Sequence, residues 1–259
     1  MKRIKLILVA AAAMGLLNVS AFAKPAPALV FKNNAELQDD IDKGSTVMFV
    51  FVHPDDEVFV SGTIALVGGD KTSSCYICCL GSLDNVRREK IDVPSRLRAI
   101  RWITKEFLKD YIFLDNNFTT LTPKIINVIK PKLKEVIEEK KPDILITFAP
   151  SGYDGNVNHR LTSKIVTDIY PTLSYAPKLY FLINVDQELN FKAREYRKYP
   201  PTDAIDLNVH SEKLGKKLWD EKLEIWENYS DSTPIIMGVM ARKERLDKND
   251  QKEYFRKMK

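Results

Sequence analysis

The fold is decided by Val47-Met48-Phe49-Val50-Phe51-Val52, an apolar run that leads directly into His53-Pro54-Asp55-Asp56-Glu57. Such a run of apolar residues, rich in β-branched and aromatic side chains, is typical of a strand buried on both faces of a parallel sheet. The strand ends where an imidazole and three carboxylates begin, and ligands in open α/β sheets bind at the carboxyl ends of strands. Because clustered acids need a compensating positive charge, the pattern favours a divalent metal.

The rest of the chain alternates between short apolar runs and longer amphipathic stretches. The apolar runs are 46–52, 74–80, 111–114, 143–149 and 178–184, and the amphipathic stretches are near 85–108, 121–139 and 159–170. This alternation predicts an α/β fold, with a Rossmann-like, mainly parallel sheet and helices on both faces.

Prolines and charges suggest where the helices begin and end. Pro94 places the start of the first predicted helix near Ser95, and Pro131 predicts a kink or break in the second. A last amphipathic helix is expected at about 211–228. The segment 242–259 mixes charges of both signs, which favours a solvated helix or a frayed terminus.

The N-terminus has the composition of a signal peptide. Three basic residues precede the apolar segment 6–17, and Ala21-Phe22-Ala23 is a small-x-small cleavage site. An uncleaved anchor is the alternative, but the apolar segment is shorter than the roughly 20 residues that a membrane span needs. We therefore predict a signal peptide at 1–23, a single domain at 24–259, no stable membrane span, and export to the periplasm or the exterior.

Charge and motifs exclude several classes of protein. The 259 residues carry a net charge of +5, and the 37 basic and 35 acidic residues that follow position 23 leave only +2. Such a balance is no nucleic-acid signature. The sequence has no G-x-S-x-G elbow, no Walker A loop and no G-x-G-x-x-G, so a serine hydrolase and a nucleotide-binding protein have little support.

The cysteines Cys75, Cys78 and Cys79 lie together in one apolar run. Alternate residues of a strand face opposite sides, so a disulfide or a shared metal is not expected there. We predict buried free thiols.

A second informative stretch follows the apolar run 143–149, where a Gly-rich loop leads to His159 at the start of a predicted helix. Two of the three histidines thus follow predicted central strands. His53, Asp56 and His159 are therefore candidates for one metal site, because three protein ligands with an open fourth position describe a catalytic zinc centre. Asp55 projects differently from Asp56 and is a candidate general base. Glu57 opens the next helix, where a capping role is as well supported as a catalytic one.

The chain resembles the LmbE-like/PIG-L family of zinc-dependent de-N-acetylases over roughly residues 45–230. The resemblance is carried by His53-Pro54-Asp55-Asp56-Glu57, by Ser61-Gly62-Thr63 and by Gly155-Asn156-Val157-Asn158-His159. It implies that His53, Asp56 and His159 bind Zn²⁺ or another divalent metal, and that Asp55 is the general base.

The chain departs from the family pattern at Asn156, where the family usually has a histidine. Asn156 can donate a hydrogen bond to an oxyanion, but it cannot titrate as a general acid near neutral pH. We expect it to act as a neutral oxyanion donor, so the proton for the leaving amine would come from Asp55, Tyr153 or His210.

The predicted function is metal-dependent removal of an acetyl group from an N-acetylated amino sugar of the N-acetylglucosamine type. The expected partner is a small molecule or a polysaccharide that carries this sugar, and no nucleic acid. The alternative is a non-catalytic or weakened family member that binds carbohydrate or metal, because Asn156 replaces the family histidine.

Overall fold

The computed structural model describes residues 32–69, 73–82, 93–116, 118, 120–185, 199–229 and 251–258. The predicted signal peptide at 1–23 lies outside these ranges, so it stays a prediction. Among the described residues, no helix is both long and apolar enough to cross a membrane.

Five parallel strands form the centre of the sheet. They are β1 (Thr46–Phe51), β2 (Ser74–Gly81), β3 (Asp110–Asn116), β4 (Ile144–Phe148) and β5 (Lys178–Ile183). They lie in the order β3-β2-β1-β4-β5. Each predicted apolar run forms one of these strands, and residues 47–51 of β1 are completely buried because both faces of the strand are covered.

The described residues include six α-helices. They are α1 (Glu36–Asp42), α2 (Ser61–Gly69), α3 (Val93–Phe107), α4 (Pro123–Lys140), α5 (Val157–Ile169) and α6 (Leu218–Tyr229). Helices α2, α3 and α6 pack against one another, and α4 packs against α5. The two groups cover opposite faces of the sheet, because the chain turns from one side of β1 to the other between β3 and β4. The predicted fold class is confirmed.

The prolines affect the helices less than predicted. Helix α4 continues without a break through Pro131, which is exposed, while Ile129 and Leu133 on either side are buried in the core. Helix α3 begins at Val93, so Pro94 lies in its first turn, where a missing N–H costs no helical hydrogen bond. The last helix is shorter than predicted, because the hairpin of β7 (His210–Ser211) and β8 (Lys216–Lys217) precedes it.

The prediction of a solvated or frayed tail was wrong for residues 252–257. This segment is strand β9, which lies between β5 and β6 (Asp203–Asp206) and runs antiparallel to both. Charged residues lie at both ends of the strand, so the sequence gives little indication that its central residues are buried. Tyr254 and Phe255 are 4% and 0% exposed, and the buried carboxylate of Glu253 is paired inside the fold.

The sheet topology brings two loops together at one edge. Strand β1 pairs with β2 on one side and with β4 on the other, so the chain leaves β1 and β4 at a point where the strand order reverses. Crevices at such switch points are where open α/β sheets bind ligands. His53 follows β1 and His159 follows β4, so both lie at this crevice.

Candidate metal centre and active site

Three side chains meet at the crevice, each through one atom. Nε2 of His159 lies 3.2 Å from Oδ1 of Asp56 and 3.2 Å from Nδ1 of His53. Nδ1 of His53 lies 3.5 Å from the same Asp56 oxygen. The residues that the structure describes therefore contain the triangle of two imidazole nitrogens and one carboxylate oxygen that the sequence placed at neighbouring strand ends.

The size of this triangle fits a metal ion. In a tetrahedral zinc site with bonds of about 2.0–2.1 Å, neighbouring ligand atoms lie about 3.3 Å apart. The three separations of 3.2 to 3.5 Å bracket that value. Two imidazoles and one carboxylate are also a donor set that zinc accepts at catalytic sites, where a fourth position stays open.

Asp56 is held in place by the backbone of its own loop. Its Oδ2 accepts hydrogen bonds from the backbone N–H of Val52 at 3.1 Å and of His53 at 2.8 Å, which leaves Oδ1 for the triangle. Burial opposes the charged carboxylate, but His159 and His53 outweigh it and hold the pKa of Asp56 well below its usual value. Asp56 is therefore an anion in the folded protein.

His159 is oriented through its other ring nitrogen. Nδ1 lies 2.9 Å from Oδ1 of Asp154 and 3.2 Å from the carbonyl of Gly152, so it is placed to donate a proton and Nε2 is left to bind a metal. The ring also stacks on Phe148, with centroids 4.1 Å apart. Burial lowers the pKa of His159, but the carboxylates of Asp56 and Asp154 have the larger, opposite effect. The pKa is therefore raised to about 10.

The loop that carries Asp154 depends on Gly152. Gly152 has a φ of +81°, and a Cβ there would stand 2.7 Å from the Asn156 carbonyl. A larger residue would therefore clash with the backbone that leads into α5. The glycine lets this loop fold tightly enough for its own carbonyl and Asp154 to reach His159.

His53 completes the triangle from the other loop. Its Nε2 lies 3.4 Å from Nδ2 of Asn158, whose Oδ1 accepts a hydrogen bond from Leu121 N–H at 3.0 Å. Burial lowers the pKa of His53, but the Asp56 carboxylate raises it by more. The Asp56 carboxylate therefore raises the pKa of both histidines.

Asp55, the predicted general base, is paired with Arg96 of α3. Nη2 of Arg96 lies 2.9 Å from Oδ2 of Asp55, and Nη1 donates to the carbonyl of Pro54 at 2.5 Å. The Arg96 side chain is 1% exposed and that of Asp55 is 15% exposed. Asp55 is thus a fixed carboxylate at the edge of the site and is not part of the metal triangle.

Glu57, for which a capping and a catalytic role were both open, lies in a buried environment. It is completely buried and accepts hydrogen bonds from the hydroxyls of Tyr111, at 3.2 Å, and Tyr229. Burial raises its pKa to about 8, against the opposing effect of the Tyr229 hydrogen bond. The carboxylate at the start of α2 is instead Glu253, which accepts from the N–H of Gly62 and of Thr63.

Asn156 is the N-cap of α5. Its Oδ1 accepts from the N–H of Asn158 at 2.8 Å, and its own N–H donates to Oδ1 of Asp154 at 2.9 Å. The amide nitrogen of the side chain has no hydrogen-bond partner among the residues that the structure describes. The position therefore has a helix-capping role that the sequence prediction did not include, and it retains a donor for a ligand.

The two other candidate acids differ in location. Tyr153 lies in the same loop, and its ring stands 4.7 Å from that of Phe59, whose centroid is 6.4 Å from that of His159. His210 is exposed on β7 and does not belong to the triangle. Tyr153 is thus close to the site, and the structure gives His210 no contact with it.

Residues 48–170 match the family model described as PIG-L: GlcNAc-PI de-N-acetylase. This region, the PIG-L region, is similar to the PIG-L family. The predicted resemblance is confirmed. The PIG-L region contains both loops of the crevice, whereas α6 and β9 follow it in the chain.

The chain is similar at low identity to one curated protein. A probable N-acetylglucosaminyl-phosphatidylinositol de-N-acetylase of Schizosaccharomyces pombe is 27% identical over 120 residues, which cover 44% of this chain and 47% of that protein. The match therefore spans about half the length of this curated relative.

Two solved structures share the fold. An N,N'-diacetylchitobiose deacetylase from Pyrococcus horikoshii has a TM-score of 0.57 at 18% identity, over 86% of this chain and 87% of that one. GalB, a 4-carboxy-2-hydroxymuconate hydratase from Pseudomonas putida, has a TM-score of 0.52 at 15% identity, over 83% and 96%. Because the second catalyses a different reaction, the fold alone does not identify the chemistry.

Sequence reasoning missed two charged residues of the PIG-L region that contact the site, Arg96 and Asp154. Arg96 lies 42 positions from its partner Pro54 and belongs to a helix with other basic residues. The only sequence signal was its spacing from Ala99, Ile100 and Ile103, which places it on the buried side of that helix. Asp154 carried a clearer signal, since metal-binding histidines commonly donate their second N–H to a carboxylate.

Proposed function

We propose that the protein is a metal-dependent de-N-acetylase that removes the acetyl group from an N-acetylated amino sugar of the N-acetylglucosamine type. The observation that carries this proposal is the triangle of His53, Asp56 and His159, with the Asp55 carboxylate beside it at the switch point of the sheet. The family of residues 48–170 and the named activities of its relatives support the same reaction.

Zinc is the metal that the donor set fits best. Nδ1 of His53, Oδ1 of Asp56 and Nε2 of His159 would hold it. When bound, such an ion supplies a Lewis acid that polarises the amide carbonyl and makes water reactive near neutral pH.

The side chains around the triangle have separate tasks in this proposal. Asp55 accepts a proton from the attacking water and later passes one to the nitrogen of the leaving amine, so that the amide and water become acetate and amine. The amide nitrogen of Asn156 donates a hydrogen bond to the oxyanion as the tetrahedral intermediate forms. No titratable group is then required at position 156.

A binding protein without turnover is the second candidate. It is favoured by the observation that Asn156 already uses its side-chain oxygen as a helix cap, which is a structural reason for its presence. On this reading the protein would bind metal and sugar and release no acetate.

One experiment separates the two candidates. The chain from residue 24 onward is purified, and bound metal and acetate release are measured on a panel of N-acetylated amino sugars and their oligomers. The proposal predicts one zinc-class ion per chain and measurable acetate. Full metal and sugar binding with no acetate from any compound would establish the binding protein instead.

Two variants test the assigned roles in the same assay. His159→Ala should leave the site largely empty, because one of three ligands is removed. Asp55→Asn should keep the metal and lose about 10²–10⁴-fold of turnover, since an amide cannot take the proton. If Asp55→Asn emptied the site, Asp55 would be a ligand and the roles of Asp55 and Asp56 would be exchanged.

The location of the protein is a separate proposal. We propose that it is exported, on the strength of the basic and apolar N-terminal segments and the Ala21-Phe22-Ala23 site. Mass spectrometry of the protein from its own host should find Lys24 at the N-terminus. An intact Met1 on the fully expressed protein would contradict this.

A further inference from the structure

Arg96 is a buried cation beside the site, to which neither the metal triangle nor the reaction scheme assigns a task. Arginine is almost never fully buried unless it is paired, yet this side chain is 1% exposed. It reaches the site from α3, and its guanidinium also lies over the ring of Tyr229, 5.7 Å from the centroid. The positive charge of Arg96 therefore attracts the oxygen atoms that its guanidinium contacts.

Two contacts of Arg96 are with the residues between His53 and Asp56, the two candidate ligands of the first loop. Nη1 binds the Pro54 carbonyl at 2.5 Å, and Nη2 binds Oδ2 of Asp55 at 2.9 Å. One planar guanidinium therefore fixes a backbone carbonyl and the next side chain at once. A lysine, with a single ammonium group, would not match this two-point geometry.

We propose that Arg96 is a positioning residue that sets the orientation of the Asp55 carboxylate, and this inference rests on the proposed function of Asp55 as the base. With Oδ2 held by Arg96, Oδ1 is the oxygen that remains for the proton of water. Reactivity depends steeply on such placement, since a displacement of about 1 Å can cost about 10²-fold in rate.

The role makes a specific prediction for variants. Arg96→Met removes the charge and both hydrogen bonds but retains a long apolar side chain. It should lower kcat about 10²-fold and leave KM and the metal content near those of the wild type. Arg96→Lys should recover only part of the loss. Arg98→Met is the matched control, because Arg98 is an exposed arginine on the same helix, and it should keep wild-type turnover.

A double-mutant cycle distinguishes positioning from general support of the fold. If Arg96 acts through Asp55, then Asp55→Asn/Arg96→Met should turn over within about twofold of Asp55→Asn alone. If Arg96 only supports the fold, its loss should multiply with the loss of Asp55, and the proposal is overturned.

A crystal structure of Arg96→Met provides a test that does not depend on activity. The proposal predicts that the Asp55 carboxylate leaves its wild-type orientation while His53, Asp56 and His159 keep theirs. An unmoved Asp55 would overturn the inference about Arg96, whatever the turnover. Absence of acetate release by a metal-loaded wild type would refute the proposed function and the catalytic consequence, whereas the crystal structure would still show whether Arg96 orients Asp55.

Discussion

Asp154 binds Nδ1 of His159 and the N–H of Asn156 through the same oxygen, so a single half-exposed carboxylate fixes both a candidate ligand and the start of α5. Partners of this kind fix the ring orientation of a ligand histidine and increase its basicity, and losing them typically costs about 10–100-fold in metal affinity. At the residue scale, the candidate metal site therefore depends on more than its three candidate ligands.

We predict that Asp154→Ala lowers zinc affinity by about 10–100-fold, as measured by competition with a chelator of known affinity. Asp154→Asn retains an acceptor oxygen without the charge and should have a smaller effect. Wild-type affinity in both variants would show that the Gly152 carbonyl alone orients His159.

The two roles of Asn156 can be separated by a second prediction. Asn156→Ala loses the cap, which should lower the free energy of unfolding by about 1 kcal/mol, and also loses the amide donor. Asn156→Asp keeps an oxygen for the cap but has no amide, so it should unfold like the wild type and still lose about 10²-fold or more in turnover. Wild-type turnover of Asn156→Asp would rule out the oxyanion role.

The sequence revealed some of these residues because of where they stand. His53 and Asp56 follow one apolar run closely, His159 follows another after a Gly-rich loop, and the carboxyl ends of neighbouring parallel strands meet at one edge. Arg96 and Glu253 have partners far along the chain, and both lie among other charged residues in the sequence, which obscures their burial. Contacts of that kind follow from packing, which local pattern does not encode.

At the scale of elements, α6 and β9 hold the segment that follows Asp55. Trp226 donates its indole N–H to the Val58 carbonyl at 2.8 Å, and Lys222 donates to the Phe59 carbonyl at 3.2 Å. Lys222 also pairs with Glu253, whose carboxylate caps the start of α2. The elements beyond the PIG-L region thus support the loop that carries two of the candidate ligands.

Breaking the Lys222–Glu253 pair should be costly. Both side chains are almost completely buried, so Lys222→Met leaves a buried carboxylate without its cation, and we predict a loss of about 3–5 kcal/mol in the free energy of unfolding. Lys164→Met is the control. The Lys164 side chain pairs with Asp168 but is 68% exposed, so this ion pair should contribute less than about 1 kcal/mol to the free energy of unfolding. Equal losses in urea unfolding of the two variants would contradict this.

The pattern of apolar residues in the sequence predicted the parallel strands well, because β1 to β5 are continuous apolar runs. Strand β6 has only four residues, and both β6 and β9 carry charged residues, so they lack the apolar signal that marked the others. Helix α1 has seven residues, too few to show a periodicity. The elements that were missed depend on neighbours supplied by distant parts of the chain.

At the scale of the whole molecule, the stability should depend on pH through Glu57. Its pKa is raised from 4.5 to about 8 by burial. Below about pH 4.5 the group is protonated in both the folded and the unfolded chain, so its contribution is fully present there. Between pH 4.5 and 8 only the unfolded chain ionises, so this contribution falls by up to about 1.4 kcal/mol per pH unit and is lost as the pH passes the folded value.

Glu57→Gln removes this titration and keeps a side chain that can bond to the two tyrosines. The quantity to compare is the free energy of unfolding of the variant minus that of the wild type. We predict that this difference increases by a few kcal/mol (about 1.4 kcal/mol per pH unit at most) between pH 5 and pH 8. Denaturant unfolding at three pH values measures the difference, and contributions common to both proteins cancel. A constant difference would show that Glu57 is ionised inside the fold.

Strand β9 has a consequence for the order in which the chain is made. It leaves the ribosome after both β5 and β6, yet it lies between them, and in the described sheet β6 has no other neighbour. A growing polypeptide therefore displays the unpaired edge of β5, and the start of α2 lacks its carboxylate until Glu253 emerges. The loop of His53 and Asp56 is therefore synthesised long before Glu253, so the nascent chain can complete this candidate site only after β9 has emerged.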